Sequence, residues 1–389
     1  MMTRSEFLRS VVGLCFAALS AWTTILAFRP SDGFYRAPPQ ELRGAPGSII
    51  RAEPIAAPPG VRAWRVLYRS LGLKQDSVAV SGIVIASDKA EAGRSVIAWA
   101  HPTTGIARRC APSLSSNIFG SIPGLERMLA AGFVVTATDY AGLGTPGIHP
   151  YLVGESAART VLDSVRAARI LTEASNQVAV WGHSQGGHAA LWSADLGGRY
   201  APDLKIVGVA AAAPAVDLLT LFRDDGSSPA GELLAGFALL SWSKIYNASL
   251  SQMIAPLNRG LVHLMGSQCL TSRFELIIEN IALRMIKRPF LKVSPVAAEP
   301  WKEIIARNTP PVKPAGMPVL ILQGREDRLI PAAVTRQFAA MLCKNGGNVE
   351  VLNVDADHVV VARRGADIAV DWLRDRLQGK AVSASCHVP

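Results

Sequence analysis

The 389-residue chain lacks several features that mark common function classes. It contains no C-x-x-C pair and no H-E-x-x-H. Those spacings place thiolates or imidazoles around zinc, so no metal is expected. No block of like charge occurs either: the net charge of +10 comes from Lys and Arg scattered along the chain. Nucleic-acid binding needs a basic arm or stripe against the phosphates and is excluded on that ground. A solvated basic surface is the plain reading, with weak attraction to anionic lipid or envelope polymers as the other. No internal repeat of fixed period is present, which removes solenoids and propellers.

Cysteine is scarce, at five residues. Cys15 falls in an N-terminal apolar run, leaving Cys110, Cys269, Cys343 and Cys386. An even number in an oxidising compartment fits two disulfides, for which four cysteines allow three connectivities. The apolar run covers 11–28, 18 residues without a charge, behind Arg4 and Arg9. Residues 1–28 therefore read as an export signal, with Ala21 and Ala27 near candidate cleavage points and an uncleaved membrane anchor as the alternative. Either reading places the remainder outside the cytoplasm, secreted or in the periplasm and cell envelope.

Residues 29–60 are rich in Pro, Gly and Ala and read as an extended N-terminal arm. Two β-rich runs follow, 64–68 and 78–85, joined by a polar turn as an antiparallel pair. From there short apolar runs (96–100, 133–138, 178–181, 206–212, 319–322 and 349–354) alternate with helical periodicity, clearest over 155–173 and 365–377. Runs apolar on both faces suit buried parallel strands with crossover helices, so the expected class is α/β with a mostly parallel sheet. The sheet domain comprises 61–214 and 310–389. Residues 215–309 form a mainly helical insertion, read as a cap or lid over the C-terminal strand ends, where such sheets bind ligands.

Chemistry concentrates in Gly182-His183-Ser184-Gln185-Gly186. G-x-S-x-G is short enough to arise by chance, but here an apolar strand runs into it and an Ala-rich helix leaves it. A strand-to-helix turn that tight strains the serine backbone and exposes its hydroxyl, while glycine on either side permits close approach. The helix N-terminus then directs its amides toward a developing oxyanion. Ser184 is the candidate nucleophile.

A serine hydroxyl needs a base and an orienting acid, which in this arrangement follow in the order Ser, Asp or Glu, His. The run 319–322 leads into Gln323-Gly324-Arg325-Glu326-Asp327, where Asp327 is the candidate acid and Glu326 its rival. Of the histidines after Asp327, His358 follows the run 349–354, whereas His387 sits beside Cys386 near the terminus. His358 is the candidate base. Oxyanion donors are the amide of Gln185 and one from the loop His101-Pro102-Thr103-Thr104-Gly105. Pro102 has no N–H, leaving Thr103 or Thr104, with Thr103 favoured and His101 read as a brace.

A formal G-x-G-x-x-G, residues 142–147, follows another strand. Pro146 and Pro150 delay the next helix, so no amides would meet a pyrophosphate. The segment is read as a loop at the mouth of the site, and no cofactor is expected. His183 and His188, flanking the elbow, are read as packing residues.

With these segments placed, the chain resembles the secretory lipase family of α/β-hydrolases, known from fungal lipases of the lipase A type. The resemblance runs through residues 51–55, the loop Trp99–Gly105, Cys110-Ala111-Pro112-Ser113, residues 139–144, His149-Pro150-Tyr151 and the elbow with Gln185-Gly186-Gly187. It implies the α/β-hydrolase fold with a helical lid and the triad Ser184, Asp327 and His358. It also implies pairing of Cys110 with Cys269 and of Cys343 with Cys386. The implied activity is hydrolysis of acylglycerols or simpler esters, with lipid-interface contact through the lid and no obligate protein partner. The oxyanion loop is closer to that of general esterases. A short-chain carboxylesterase, an acyltransferase or thioesterase on the same triad, and a non-catalytic envelope protein of this fold are the other expectations.

Overall fold

The structure is a computed structural model that describes residues 33–388, apart from 90, 225–227, 272, 287–288, 314–315 and 383–385. The expected export segment, 1–28, lies outside the described residues.

Ten strands form one sheet: β1 (Ile49–Ile55), β2 (Val61–Leu71), β3 (Ser77–Ser87), β4 (Val96–Ala100), β5 (Val134–Thr138), β6 (Gln177–His183), β7 (Lys205–Ala212), β8 (Val319–Gly324), β9 (Val349–Val354) and β10 (Cys386–His387). Their spatial order is β1-β2-β3-β5-β4-β6-β7-β8-β9-β10. β1, β2, β3 and β5 pair antiparallel in succession, and every later neighbour is parallel. The arm expected over 29–60 therefore contains a sheet strand. Its Pro54 is tolerated because β1 is an edge strand, where no ladder bond is demanded on the outer side.

The parallel strands alternate their burial between two helical layers, as continuous apolar runs require. Ile97, Trp99 and Leu320 face α1 (Leu125–Ala130) and α12 (Ala366–Leu377). Val96, Ala98 and Val180 face α2 (Gly154–Thr172) and α3 (Gln185–Tyr200). β4 lies between β5 and β6, so the chain leaves β5 and crosses over β4 to reach β6. That reversal opens a crevice between the C-terminal ends of β4 and β6. Ala100 pairs with Gly182 there, placing the loop after β4 beside the elbow after β6.

Between β7 and β8 the chain builds α4 (Leu218–Asp224), α5 (Pro229–Ile245), α6 (Leu250–Met253), α7 (Pro256–Gly266), α8 (Arg273–Met285) and α9 (Trp301–Asn308). Phe237, Trp242 and Trp301 from these helices share one apolar core with Ile321 and Val351 of the sheet. The insertion is thus anchored by burial and not merely hinged to its ends. After β8 come α10 (Ala332–Lys344) and the single turn α11 (Val361–Arg364).

Two disulfides join Cys110 to Cys269 and Cys343 to Cys386. The first ties the segment after β4 to the insertion, and the bridge between Gly105 and Cys269 with Leu270 N–H donating to Thr104 O (2.9 Å) reinforces that tie. The second fixes the C-terminal strand β10 beside α10. Among the described residues, no helix is long and apolar enough to cross a membrane.

Candidate active site

Ser184 occupies the turn between β6 and α3 with φ 55° and ψ −114°, a conformation that costs an L-residue of order 1–3 kcal/mol. The strain is held in place from several sides. Ser184 N–H donates to Ala212 O at 2.9 Å, tying the turn to β7, and His188 N–H closes the first helical turn on Ser184 O at 3.0 Å. A Cβ on Gly186 would overlap the Ala100 carbonyl, and one on Gly182 would overlap the backbone of Gly186. Both glycines are required by close backbone approach, as the motif's spacing indicates.

His358 follows β9 and accepts the Ser184 hydroxyl at Nε2, 2.9 Å away. Its Nδ1–H donates to Asp327 Oδ2 at 2.8 Å. Asp327 is buried in the loop after β8, and its other oxygen accepts the N–H groups of Leu329 (2.9 Å) and Ile330 (2.8 Å). The carboxylate is therefore fixed in position as well as buried. Glu326 is exposed and turned away, and His387 stands exposed on β10, paired in register with Glu350. The structure thus brings Ser184, His358 and Asp327 together and leaves both rivals outside.

Gln185 begins α3, so its backbone N–H has no intrahelical partner. Thr103 and Thr104 follow β4 on the neighbouring side of the crevice. Thr103 Oγ1 lies 2.9 Å from Tyr151 Oη, while Thr104 is held through its carbonyl by Leu270. His101 is buried, with Nδ1 2.6 Å from Pro102 O, Nε2 3.3 Å from Asp139 O and its ring 4.4 Å from that of Tyr140. Burial lowers its pKa to about 4, so the ring is neutral and braces the loop.

Three further contacts shape the site. His183 Nε2–H donates to the His358 carbonyl at 2.8 Å. Asp357 Oδ1 accepts from Val359 (2.9 Å) and Val360 (3.1 Å), shaping the turn that carries His358. Gln185 Nε2–H donates to His149 Nε2 at 3.0 Å across 36 residues. The Asp357 turn has a local signal, an Asp beginning a tight turn; the other two have none.

A narrow cavity of about 50 Å³ opens on Ser184 and Gln185. Tyr151, Leu152, Ala215, Leu329 and Ile330 contribute walls from the sheet side. Leu218, Leu221 and Phe222 of α4, Leu234 and Ala235 of α5, and Leu291 close it from the insertion. Of the segment around the glycine-rich loop, only Tyr151 and Leu152 reach the cavity, and α2 begins at Gly154. Among the described residues, no group of three or more His, Cys, Asp or Glu side chains could hold a metal ion.

The chain is similar to a probable inactive lipase of Mycobacterium tuberculosis, 27% identical over 390 residues and covering 91% of this chain and 84% of that one. It is 23% identical to a secreted triacylglycerol lipase of Malassezia globosa, over 100% of this chain and 90% of the relative. Its fold matches that of Candida antarctica lipase A in its closed state with a TM-score of 0.74, at 18% identity, over 92% of this chain and 88% of that one. The sheet order and flanking helices are accordingly those of an α/β-hydrolase. A family model described as secretory lipase matches residues 121–384, a span holding the elbow, the acid loop and the base loop. The chain belongs to the secretory lipase family, and it is a carboxylic-ester hydrolase.

Proposed function

We propose that the protein is an exported serine hydrolase that cleaves acylglycerols or related carboxylic esters through an acyl-enzyme on Ser184. The observation that carries this reading is the unbroken hydrogen-bonded chain from Ser184 through His358 to Asp327. Ser184 Oγ attacks the ester carbonyl carbon while His358 Nε2 takes its proton. The collapsing tetrahedral intermediate expels the alcohol, which receives that proton from His358. Water then enters by the same route, releasing the acid and restoring Ser184. Asp327 keeps the proton on Nδ1 and stabilises the imidazolium. The amides of Gln185 and Thr103 meet the oxyanion.

Export is supported by the N-terminal apolar run, the two disulfides and the relatives' secretory character. A lipid substrate is supported by the insertion's outer surface. Among the described residues, α8 carries Ile277, Ile281 and Met285, each more than half exposed and spaced i, i+4, i+8 along one face. The segment 256–293 contains six Arg or Lys against two Glu. A short-chain carboxylesterase is the second reading, favoured by how little room the insertion leaves above Ser184.

Two measurements test the proposal. Ser184→Ala should lower p-nitrophenyl ester turnover by about 10⁴-fold or more and abolish labelling by a fluorophosphonate. Near-normal turnover in that variant would show that ester cleavage does not pass through Ser184. A wild type that neither turns over ester nor takes the label would leave a non-catalytic protein of this fold, as the mycobacterial relative's name describes that protein. Rates for esters from C2 to C18 then separate lipase from short-chain esterase.

A further inference from the structure

Gln185 has a side chain as well as a backbone donor, and the side chain is almost wholly buried beside Ser184. Its amide orientation is dictated from outside. His149 Nδ1–H donates to Ala141 O at 2.9 Å, so the proton of the neutral ring sits on Nδ1 and Nε2 is an acceptor. Only the NH₂ of Gln185 can satisfy that acceptor; a flipped amide would set two lone pairs against each other. Burial holds His149 down to about 4, which keeps the ring neutral at ordinary pH. The residue is itself held: Ser241 Oγ–H of α5 donates to the His149 main-chain carbonyl at 2.7 Å, and the Tyr140 ring stacks on the imidazole at 5.9 Å.

The consequence falls on the other end of the amide. Gln185 Oε1 is buried and has no hydrogen-bond partner, on a residue that lines the cavity over Ser184. The remaining walls are chiefly aliphatic and aromatic. A buried acceptor without a donor carries a penalty that a bound donor would relieve. An ester of a simple alcohol has only acceptors, and a fatty acyl chain has no polar atom to offer. A free hydroxyl next to the ester, on the alcohol part of the substrate, is the donor that such a site lacks.

We propose that Gln185 Oε1 is a specificity acceptor for that hydroxyl, so that the enzyme favours partial glycerides over esters of simple monohydric alcohols. The proposal rests on the ester-hydrolase reading above and names the alcohol half of its substrate. His149 is the positioning residue: it acts by orienting Gln185 and touches no reacting atom.

The test compares kcat/KM for a monoacylglycerol and for the methyl ester of the same acid, presented in the same detergent micelles. The wild-type ratio should be at least tenfold in favour of the glycerol ester. Gln185→Met keeps the backbone N–H and the side-chain length but removes the acceptor, and its ratio should fall to near one. Because the ratio is taken within one variant, any general loss of rate cancels. His149→Phe frees the amide to turn and should lower the ratio in part. Should neither variant fold, the wild type still decides: a 1-O-alkylglycerol should inhibit at least tenfold better than the matching alkyl methyl ether. A wild-type ratio near one, a ratio unchanged in Gln185→Met, or equal inhibition by the two ethers would overturn the proposal. Failure of the hydrolase reading looks different: neither ester would be turned over and Ser184 would not take the fluorophosphonate.

Discussion

His183 and His358 are joined by a hydrogen bond of 2.8 Å from the Nε2–H of the first to the main-chain carbonyl of the second. The residue before the proposed nucleophile therefore holds the loop that carries the proposed base, and their rings lie 5.2 Å apart. Removing the donor in His183→Ala frees His358 to drift from Ser184. Misplacement on the ångström scale costs up to about 100-fold, so kcat should fall ten- to a hundredfold with little change in KM. His183→Gln retains an N–H donor and should recover much of the loss. Equal kcat in wild type and His183→Ala would show that the loop is held by other contacts alone.

Gly186 packs against the end of β4 so closely that no side chain fits. Gly186→Ala would drive its methyl into the Ala100 carbonyl, a backbone group that cannot swing aside. The conflict is relieved only by parting β4 from the elbow, which opens the crevice where the oxyanion donors converge. The variant should lose several kcal/mol of stability, in the range of severe overpacking, and nearly all activity. Thermal melts and ester turnover read both. An alanine variant with wild-type melting temperature would mean that the backbone contact is softer than the structure has it.

Four histidines, His101, His149, His183 and His188, are buried, and burial lowers each to about 4. In the unfolded chain histidine titrates near 6.5. Between pH 6.5 and 4 the unfolded state binds protons that the folded state refuses, so stability present above 6.5 is lost as the pH falls. Each group removes about 1.4 kcal/mol per pH unit across that window. Burial raises Asp139 and Asp163, which acts with the opposite sign because their folded carboxyls take up protons more readily than the unfolded ones. With four groups against two, the melting temperature should drop progressively from pH 6.5 to 5. A flat profile over that range would contradict the buried, neutral state of these rings.

Much of this arrangement is legible in the sequence because its signals are local. The strands 96–100 and 349–354 have the bounds that their runs suggest: the first is apolar and buried throughout, and the second keeps Val349, Val351 and Val354 buried while Glu350 and Asn353 are only half-buried. Ser184 was legible for a similar reason: the glycines, the preceding strand and the following helix are adjacent in sequence. β1 was not, because Pro54 and the surrounding Pro and Gly obscure a strand whose partner lies on one side only. Asp327 and Glu326 are neighbours with the same chemistry, and only the loop's fold turns one inward to Leu329 and Ile330. His149 and Gln185 meet because two separate loops converge at the switch in strand order, and no periodicity records such a meeting.

The outer face of α8 bears on how the protein meets its substrate. Ile277, Ile281 and Met285 are 57%, 54% and 58% exposed, and Leu257 of the packed helix α7 is 77% exposed. Of the twelve large apolar side chains exposed among the described residues, seven fall within 257–293. Large apolar side chains gathered in one segment are costly in water, and on the proposed reading they are the surface that meets lipid. The excess of Arg and Lys in the same segment favours an anionic lipid surface over a neutral one. The same insertion closes the cavity over Ser184 through Leu221, Phe222 and Leu234, so on the proposed lipid reading one structural unit carries both the exposed apolar face and the cover of the cavity. Replacing Ile277, Ile281 and Met285 together by Gln should weaken binding to vesicles containing phosphatidylglycerol, read by co-sedimentation. It should lower turnover of emulsified long-chain esters by at least tenfold, while hydrolysis of dissolved p-nitrophenyl butyrate, which needs no interface, changes less than twofold. Added salt should weaken the wild type's adsorption to those vesicles and leave its turnover of the dissolved ester alone. An equal loss on both substrates would assign these side chains to folding instead. Unchanged adsorption would assign the exposed face to some other partner.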